Sequence, residues 1–402
     1  MTLDTLAILT VIVVVAVAAP FLADRVSRVL AVPPVVVEVL LGILIGPAVL
    51  GLVSETEVIA ALSDLGLAFL MFLAGYEIQF ARIRGGPLRR AIAGWGMSVV
   101  LGVVAGLLIG GATAGVVIGL ALTTTALGTI LPIVRDSGDA STPFGNRVLA
   151  VGSVGEFGPI VAIAFVLSSE RPVHTLAVLG AFAALAFAGA WLARQPRHPR
   201  LGRMVTATLG TSAQVGVRLC VLVVVAMFAF AEWLGLDPVL GAFTAGILVH
   251  LFLGAGDAHE AEVVQSRLEG IGFGFLIPIF FVVSGVRLDL ESLVSDPRAL
   301  ALLPIFAVLL LLVRGVPTLL THLGVLSRDD RLALALFAST ALPLIVVITG
   351  LGVERGLLDP ATAAALVGAG IISLLVFPTT ALRLRQRSAD AVTHRESAAS
   401  PN

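Results

Sequence analysis

The sequence is 402 residues long, 58% hydrophobic and only 13% charged, with a formal net charge of −1. A soluble domain carries charge on about a quarter of its residues, so a chain with half that density cannot build a water-facing surface of this size. The composition excludes a soluble enzyme, indicates a polytopic membrane protein in a lipid bilayer, and offers no basic face for nucleic acid.

Apolar runs of about 20 residues, the length that crosses a bilayer, follow one another along the chain and predict about 13 transmembrane helices. They predict an all-α polytopic membrane domain over residues 1–385 and a disordered tail over 386–402, rich in serine and alanine. In chain order the predicted helices cover residues 5–23, 31–52, 58–80, 88–110, 114–135, 146–167, 173–193, 209–233, 238–253, 271–286, 299–323, 331–351 and 360–382.

The arginines predict how these helices are oriented. All 25 basic residues are arginine, and alternate connections together with the tail hold nineteen of them, against four on the opposite side. Because basic residues accumulate in short cytoplasmic loops, the N-terminus is predicted outside and the C-terminus in the cytoplasm. The lack of lysine beside abundant alanine, glycine and arginine favours a bacterial plasma membrane. The other two arginines, Arg218 and Arg314, fall inside predicted helices.

Glu156 is the acidic residue nearest the centre of any predicted helix. It lies about ten residues, or roughly 15 Å, from the cytoplasmic start of that helix at 1.5 Å per residue. An ionisable group at this depth is expensive and marks an ion or proton pathway by default, with a structural carboxyl as the alternative. Nearby glycines, among them Gly155, would let another backbone approach closely.

Arg314 lies at a similar depth, roughly 16 Å, on a predicted helix that runs in the opposite direction. We therefore predict that it is a charge partner of Glu156. The alternatives are that its guanidinium satisfies carbonyls freed by a broken helix, or that it reaches back to the membrane surface.

Two short segments repeat one pattern. Thr-Thr-Ala-Leu at 124–127 and Ser-Thr-Ala-Leu at 339–342 each lie within an apolar helix and are each followed by a proline, Pro132 and Pro343. Interrupted helices of opposite orientation in the two halves are typical of inverted repeats with crossed discontinuous helices and a substrate site between them. The alternative is that these threonines bond only to their own helices. Candidate ligands are Thr124, Thr125 and Thr340, with Thr123, Ser153 and Ser339 as possible accessory groups.

Other acids and motifs give weaker signals. Glu38, Asp64 and Glu77 lie toward helix ends, where interfacial or packing carboxyls are the simpler interpretation. The chain has no His-Glu-x-x-His, Gly-x-Ser-x-Gly or Walker-type motif, so we expect neither an enzyme nor an ATP-driven pump. We expect no cofactor and no tightly bound metal, and transport would use an existing ion gradient.

Four segments together resemble the monovalent cation:proton antiporter-2 family, the sodium/hydrogen exchanger-like membrane domains. They are Pro-Pro-Val-Val-Val-Glu-Val-Leu-Leu-Gly-Ile-Leu-Ile-Gly-Pro at 33–47, Leu-Met-Phe-Leu-Ala-Gly-Tyr-Glu at 70–77, Gly-Ala-Phe-Thr-Ala-Gly at 241–246, and Pro-Ile-Phe-Phe-Val-Val-Ser-Gly at 278–285. The resemblance implies 13 helices in a core and a dimerisation domain, elevator-like alternating access and a homodimer. Glu156 falls where this family has its ion-binding carboxylate, normally aspartate, and Gly155 where many members have a polar or acidic residue. Arg314 matches the family's basic residue, often lysine.

The resulting hypothesis is an antiporter that exchanges Na⁺ or K⁺ for H⁺. Glu156 would bind either a proton or one transient cation, and hydroxyls of Thr124, Thr125 and Thr340 would complete an oxygen-rich site. With one acid and a non-titrating arginine, one-for-one electroneutral exchange is the simplest prediction. A sodium-coupled organic solute symporter, a channel and a non-transporting sensor remain as alternatives, and the sequence does not separate Na⁺ from K⁺.

Overall fold

The described part of the chain is built from membrane-crossing helices. The structure is a computed structural model that describes residues 3–27, 33–78, 80–166, 213–234, 236, 238–254 and 258–399, with isolated positions from 180 to 191. Within these residues every regular element is a helix, and eight helices are long and apolar enough to span a membrane. The fold class predicted from the sequence is therefore confirmed.

The helices follow one another with short connections. In the first half they are α1 (Leu3–Ser27), α2 (Pro34–Ile45), α3 (Glu57–Tyr76), α4 (Phe80–Ile83), α5 (Gly86–Leu122), α6 (Leu127–Asp136) and α7 (Pro143–Val166). In the second half they are α8 (Val215–Trp233), α9 (Pro238–Gly254), α10 (Ala258–Ile271), α11 (Ile277–Val286), α12 (Leu290–Ser295), α13 (Pro297–Leu310), α14 (Val316–Thr321), α15 (Arg328–Ala338), α16 (Pro343–Glu354) and α17 (Pro360–Ala399).

The predicted membrane segments agree with these helices. The seventh, over residues 173–193, lies outside the described ranges, and the other twelve of the 13 each correspond to one helix or to consecutive helical pieces. The second is shorter than the predicted 31–52, because Pro34 begins α2 and the helix ends before Gly46 and Pro47. The apolar run continues past Gly46 and Pro47, where this helix ends, so it overestimates the helix length.

The boundary between the fourth and fifth predicted segments is a sharp kink within α5. Gly111 has φ 67° and ψ −160°, a backbone conformation that side chains other than glycine rarely adopt. The two parts of α5 therefore form an antiparallel hairpin, and the second part leads directly into the segment 123–126.

Two π-helical turns interrupt the later spans. Residues Gly272–Leu276 join α10 to α11, and Leu311–Gly315 join α13 to α14. A π turn changes the direction in which side chains leave the helix, and such turns are frequent at functional sites. Arg314 lies in the second of these turns.

The last helix extends further than its membrane segment. α17 runs to Ala399, so residues 386–399, predicted as a disordered tail, continue the helix in the structure. The stretch after Pro378 contains no glycine or proline before Ala399, and its alanines and arginines are strong helix formers.

Apolar residues face both the interior and the lipid. Phe72, Phe243 and Phe281 are fully buried at the centre of the bundle, whereas Val14 and Phe21 on α1 are largely exposed. This two-sided apolar surface is typical of a membrane bundle, and it leaves the few buried polar groups to define the site.

Candidate ion-binding site

Two interrupted helices cross at the centre of the protein. α5 ends at Leu122 and α6 begins at Leu127, while α15 ends at Ala338 and α16 begins at Pro343. The two breaks contact each other through the backbone, since the Ala126 N–H donates to the Thr340 carbonyl at 2.8 Å. The crossed discontinuous helices predicted from the repeated four-residue pattern are therefore present in the structure.

The second break is held by a side chain from the last helix. The Ser373 hydroxyl accepts a hydrogen bond from the Ala341 N–H at 3.0 Å and lies 2.8 Å from the Ala341 carbonyl oxygen. Ser373 is fully buried, so it replaces the helical partners that Ala341 lacks at the break.

The first break is held by Arg314, which is only 1% exposed. Its Nε and Nη2 donate to the Thr125 hydroxyl oxygen at 3.0 and 2.6 Å, and Nη2 also donates to the Val151 carbonyl at 3.2 Å. The Thr125 hydroxyl in turn donates to the Ala338 carbonyl at 2.6 Å. Arg314 thus connects both breaks with α7, and in the described part of the chain it forms no ion pair or hydrogen bond with Glu156.

Gly155 makes room for this guanidinium. A Cβ atom at Gly155 would lie 2.8 Å from Thr125 Cβ and closer still to Arg314 Nη2 and to the Thr125 hydroxyl. The Gly155 carbonyl also accepts a hydrogen bond from the Thr125 N–H at 3.0 Å. Glycine at 155 and arginine at 314 are therefore sterically coupled.

Glu156 belongs to α7, and its side chain lies beside the first residues of α6. It is 3% exposed, and its carboxyl lies near the backbone amide of Leu127, the first residue of that ten-residue helix. The N-terminus of a helix carries a partial positive charge and unpaired N–H groups, so it stabilises a carboxylate. The second oxygen, Oε2, has no partner among the described residues and is available to a ligand.

A small cavity of about 20 Å³ borders this carboxyl. That volume holds about one water molecule, or one cation that has lost its water shell. Pro343, the first residue of α16, also borders the cavity, so the N-termini of both half-helices lie beside it. The remaining lining residues are Val35, Leu70, Leu73, Ala74, Glu77, Gly128, Thr129, Phe273 and Phe281.

Glu77 is the site residue that sequence reasoning missed. It follows the last residue of α3 and lines the same cavity as Glu156, and its Oε2 also has no partner among the described residues. Counting residues along the chain put Glu77 near a membrane surface. The count fails because α3 is packed against the start of α6, which brings its end to the depth of the crossing.

Four of the five other predicted hydroxyl ligands bond to their own helices. Thr123 and Thr124 donate to carbonyls three residues earlier at 2.8 Å, and Ser339 and Thr340 to carbonyls four residues earlier at 2.8 and 3.0 Å. The Ser153 hydroxyl has no partner among the described residues. None of the five borders the cavity, whereas Thr129, which the sequence did not single out, does.

A larger cavity of about 520 Å³, which we call the vestibule, lies on another side of α11. Phe280 lines this vestibule, while the next residue, Phe281, lines the Glu156 cavity. Three acids, Asp64, Asp289 and Glu354, line the vestibule together with one arginine, Arg287.

The site and the fold define a class of protein. Crossed, interrupted helices from two halves, with half-helix N-termini beside a buried carboxylate, are the architecture of secondary ion transporters built from inverted repeats. The family described as "Sodium/hydrogen exchanger, transmembrane" matches residues 12–384, and the chain belongs to this family. It is a family of transporters, in agreement with the prediction that the chain is not an enzyme.

Several known proteins are similar to the chain. YjbQ of Bacillus subtilis is 28% identical over 407 residues, which cover 95% of this chain and 64% of YjbQ. The Na(+)/H(+)-K(+) antiporter GerN of Bacillus cereus is 26% identical over 366 residues, covering 89% of this chain and 91% of GerN. The sodium proton antiporter MjNhaP1 of Methanocaldococcus jannaschii, solved at pH 8, has the same fold, with a TM-score of 0.69 at 14% identity over 95% of this chain and 99% of that one.

Proposed function

We propose that the protein exchanges Na⁺ or K⁺ for H⁺ across a bacterial plasma membrane, with Glu156 as the coupling carboxylate. The observation that carries this proposal is the free Oε2 of a buried carboxyl beside a one-ion cavity. GerN is described as a Na(+)/H(+)-K(+) antiporter and MjNhaP1 as a sodium proton antiporter, and both descriptions support an exchange of monovalent cations for protons.

The cavity offers oxygen ligands to a hard cation. Glu156 supplies one carboxylate oxygen, and Glu77 and Thr129 line the same space. Monovalent cations are bound by oxygen, and their selection depends on cavity size and ligand number. The hydroxyl of Thr125 joins the two breaks at the crossing, whereas the hydroxyls of Thr124 and Thr340 bond to their own helices and would reach a cation only after the site rearranges.

Competition at one carboxyl couples the two fluxes. Two carboxylates in one small cavity repel each other, so Glu77 and Glu156 carry at most one negative charge when no cation is bound. Either a proton or a cation then neutralises that charge. Arg314 stays charged throughout, so exchange is one-for-one and electroneutral. Strong dependence of net turnover on imposed voltage would contradict this stoichiometry.

Access to the site alternates between the two sides of the membrane. The vestibule next to Phe280 supplies one route, and its three carboxylates outnumber its one arginine, which favours the entry of cations. The arginine-rich ends of the helices face the cytoplasm, with the N-terminus outside. The protein acts as a homodimer in which the domain that holds the crossing moves against the rest.

Reconstituted protein tests the proposal. Proteoliposomes containing a pH-sensitive dye receive external Na⁺ and then K⁺, with wild type and Glu156→Gln compared side by side. The matched control is Glu38→Gln, which changes another buried carboxyl that does not line the cavity. We expect cation-driven proton efflux in wild type and control, and none in Glu156→Gln.

Each alternative gives a different result. Uptake stimulated by an organic solute without proton exchange would indicate a symporter. Flux far above carrier rates without obligatory exchange would indicate a channel. No flux of either kind in folded wild type would favour a sensor, and equal activity in Glu156→Gln would remove Glu156 from the mechanism.

A further inference from the structure

A single arginine of the last helix joins two acidic residues from the two halves of the chain. Arg385 on α17 donates from Nε and Nη2 to the two carboxylate oxygens of Asp139 at 3.0 and 2.8 Å, and from Nη1 to Asp330 Oδ1 at 3.0 Å. The three side chains are only 21%, 14% and 15% exposed. Ion pairs that are mostly removed from water are screened less than surface pairs, and the two-pronged contact with Asp139 also fixes its orientation. We call these three residues the Arg385 clamp.

The two acids lie at the ends of the half-helices that are remote from the crossing. Asp139 follows the last residue of α6 by three positions, and Asp330 is the third residue of α15. At 1.5 Å per residue, the ten residues of α6 and the eleven of α15 each extend roughly 15 Å from the clamp to the crossing. The clamp therefore joins the two half-helices at one end, while the hydrogen bond from the Ala126 N–H to the Thr340 carbonyl joins them at the other.

Short hydrogen-bonded turns connect each acid to its half-helix. The Thr142 N–H and hydroxyl both donate to the Asp139 carbonyl, at 3.0 and 2.7 Å, in the tight turn between α6 and α7. The Asp330 N–H donates to the Ser327 hydroxyl at 3.1 Å, in the first turn of α15. Because both acids are held in this way, a displacement of either carboxylate also displaces the end of its half-helix.

The clamp also contacts the helix that carries Glu156. The Arg385 guanidinium lies 4.8 Å from the centre of the Phe144 ring, a cation–π contact with the second residue of α7. The Phe144 ring in turn packs against the Phe337 ring of α15, with 6.4 Å between their centres. Arg385 lies on the same helix as Ser373, which holds the second break. One side chain therefore connects α6, α7, α15 and α17, four of the helices that build the crossing and its site.

We propose that Arg385 is a positioning residue of the ion exchange: it fixes the ends of α6 and α15 relative to each other and thereby sets the shape of the cavity beside Glu156. It acts through α6, because Gly128 and Thr129 of this helix line the cavity. In the described part of the chain α15 contributes no lining residue, so the link to Asp139 matters more than the link to Asp330. This role rests on the proposed function, in which the cavity holds the exchanged cation.

Removal of the guanidinium has a defined electrostatic consequence. Asp139 and Asp330 both lie within hydrogen-bond distance of the same group, so their carboxylates are close to each other. Without the positive charge between them, the two partly buried carboxylates repel each other, and the ends of the half-helices separate. Because the selection of a monovalent cation depends on the geometry of its site, a shift of α6 changes the relative affinities for Na⁺ and K⁺.

The distance between the two half-helix ends tests the clamp without reference to transport. Spin labels are attached to the full chain through Ser137→Cys and Arg328→Cys, two exposed positions, in a Cys220→Ser background, and their separation is measured by electron–electron resonance. Arg385→Gln and Arg385→Lys are compared with Arg383→Gln, which changes an exposed arginine two residues away. We expect a longer and broader distance distribution in Arg385→Gln, a smaller change in Arg385→Lys, and none in Arg383→Gln.

Cation binding tests the consequence for the cavity. The rise in melting temperature with added Na⁺ or K⁺, at constant ionic strength, gives an apparent Kd for each ion. We expect Arg385→Gln to change the ratio of the two Kd values roughly threefold to thirtyfold, the range of indirect effects carried through packed helices, and Arg383→Gln to leave it unchanged. Asp139→Asn should change the ratio more than Asp330→Asn. A purely structural role would lower the melting temperature without changing this ratio.

The outcomes separate the clamp from the proposed function. Equal distance distributions in Arg385→Gln and Arg383→Gln, or the same ratio of Kd values in both, would overturn the role of Arg385 even if the wild type exchanges ions. If the wild type does not exchange ions, the proposed function fails, and the distance measurement still decides whether Arg385 holds the two ends together. If Arg385→Gln does not fold, Arg385→Lys and Asp139→Asn provide the same comparison.

Discussion

Gly155→Ala tests whether Arg314 and position 155 share one space. The added methyl group would lie 2.8 Å from Thr125 Cβ and closer to Arg314 Nη2, so the guanidinium must move away from the Thr125 hydroxyl. Overpacking of a tight core costs about 1–3 kcal/mol. Loss of one charge-assisted hydrogen bond, such as the 2.6 Å bond from Nη2, costs about 1.5–3 kcal/mol. Together they give a destabilisation of roughly 2.5–6 kcal/mol.

The assay is thermal unfolding of the purified protein, followed by tryptophan fluorescence, beside ion exchange in proteoliposomes. Gly96→Ala is the matched control, because a Cβ at Gly96 meets no atom within 4 Å and the residue lies in a regular helix. We expect Gly155→Ala to melt several degrees lower than Gly96→Ala and to exchange ions more slowly.

A double variant isolates the cause. Lysine is slimmer than arginine, so Arg314→Lys in the Gly155→Ala background should recover part of the stability that Gly155→Ala loses, giving a non-additive pair. If Gly155→Ala melts together with Gly96→Ala, or if the two changes simply add, the steric coupling between positions 155 and 314 is refuted.

Three further changes test other parts of the site. Glu77→Gln keeps the size of the side chain and removes a possible charge beside the cavity, so we expect exchange to persist with the same stoichiometry and a changed cation KM in the proteoliposome assay; unchanged KM would exclude Glu77 from the cation site. Thr125→Val removes the hydroxyl that joins Arg314 to the Ala338 carbonyl, and we expect a destabilisation of about 3–6 kcal/mol, measured by chemical unfolding, because the buried guanidinium loses two hydrogen bonds of about 1.5–3 kcal/mol each. Ser373→Ala leaves the Ala341 amide unpaired, and we expect a smaller destabilisation of about 1–3 kcal/mol in the same measurement. A larger destabilisation than in Thr125→Val would contradict the expectation that the hydrogen bonds at the first break contribute more to stability than those at the second.

Much of this architecture follows from residue patterns that depend on single helices. Apolar length predicts the spans, and the repeated four residues predict both breaks, because each signal is local to its segment. Glu156 was identifiable for the same reason, since a carboxyl in mid-helix is conspicuous whatever surrounds it. The apolar run overestimates the length of α2, because hydrophobicity predicts a helix to residue 52 while the helix ends before Gly46 and Pro47.

Properties that depend on how helices pack were not predictable. The role of Glu77 depends on the end of α3 meeting the start of α6, which no residue count along one helix can reveal. Arg314 was predicted as a charge partner of Glu156, and its depth is consistent with that, but its hydrogen bonds connect Thr125, Val151 and Ala338. The space at Gly155 that permits those bonds is a property of three segments together.

Phe280 and Phe281 are neighbours on α11, and their rings face the two different cavities on either side of that helix. Successive residues on a helix point about 100° apart, which is why one ring borders the 520 Å³ vestibule and the next borders the cavity beside Glu156. The two rings and the α11 backbone separate the carboxyl from the larger cavity, together with α3 and α16, which also line both cavities. Small side chains at these two positions would therefore produce leakage of ions along the gradient, an uncoupled flux, before they produced any loss of binding.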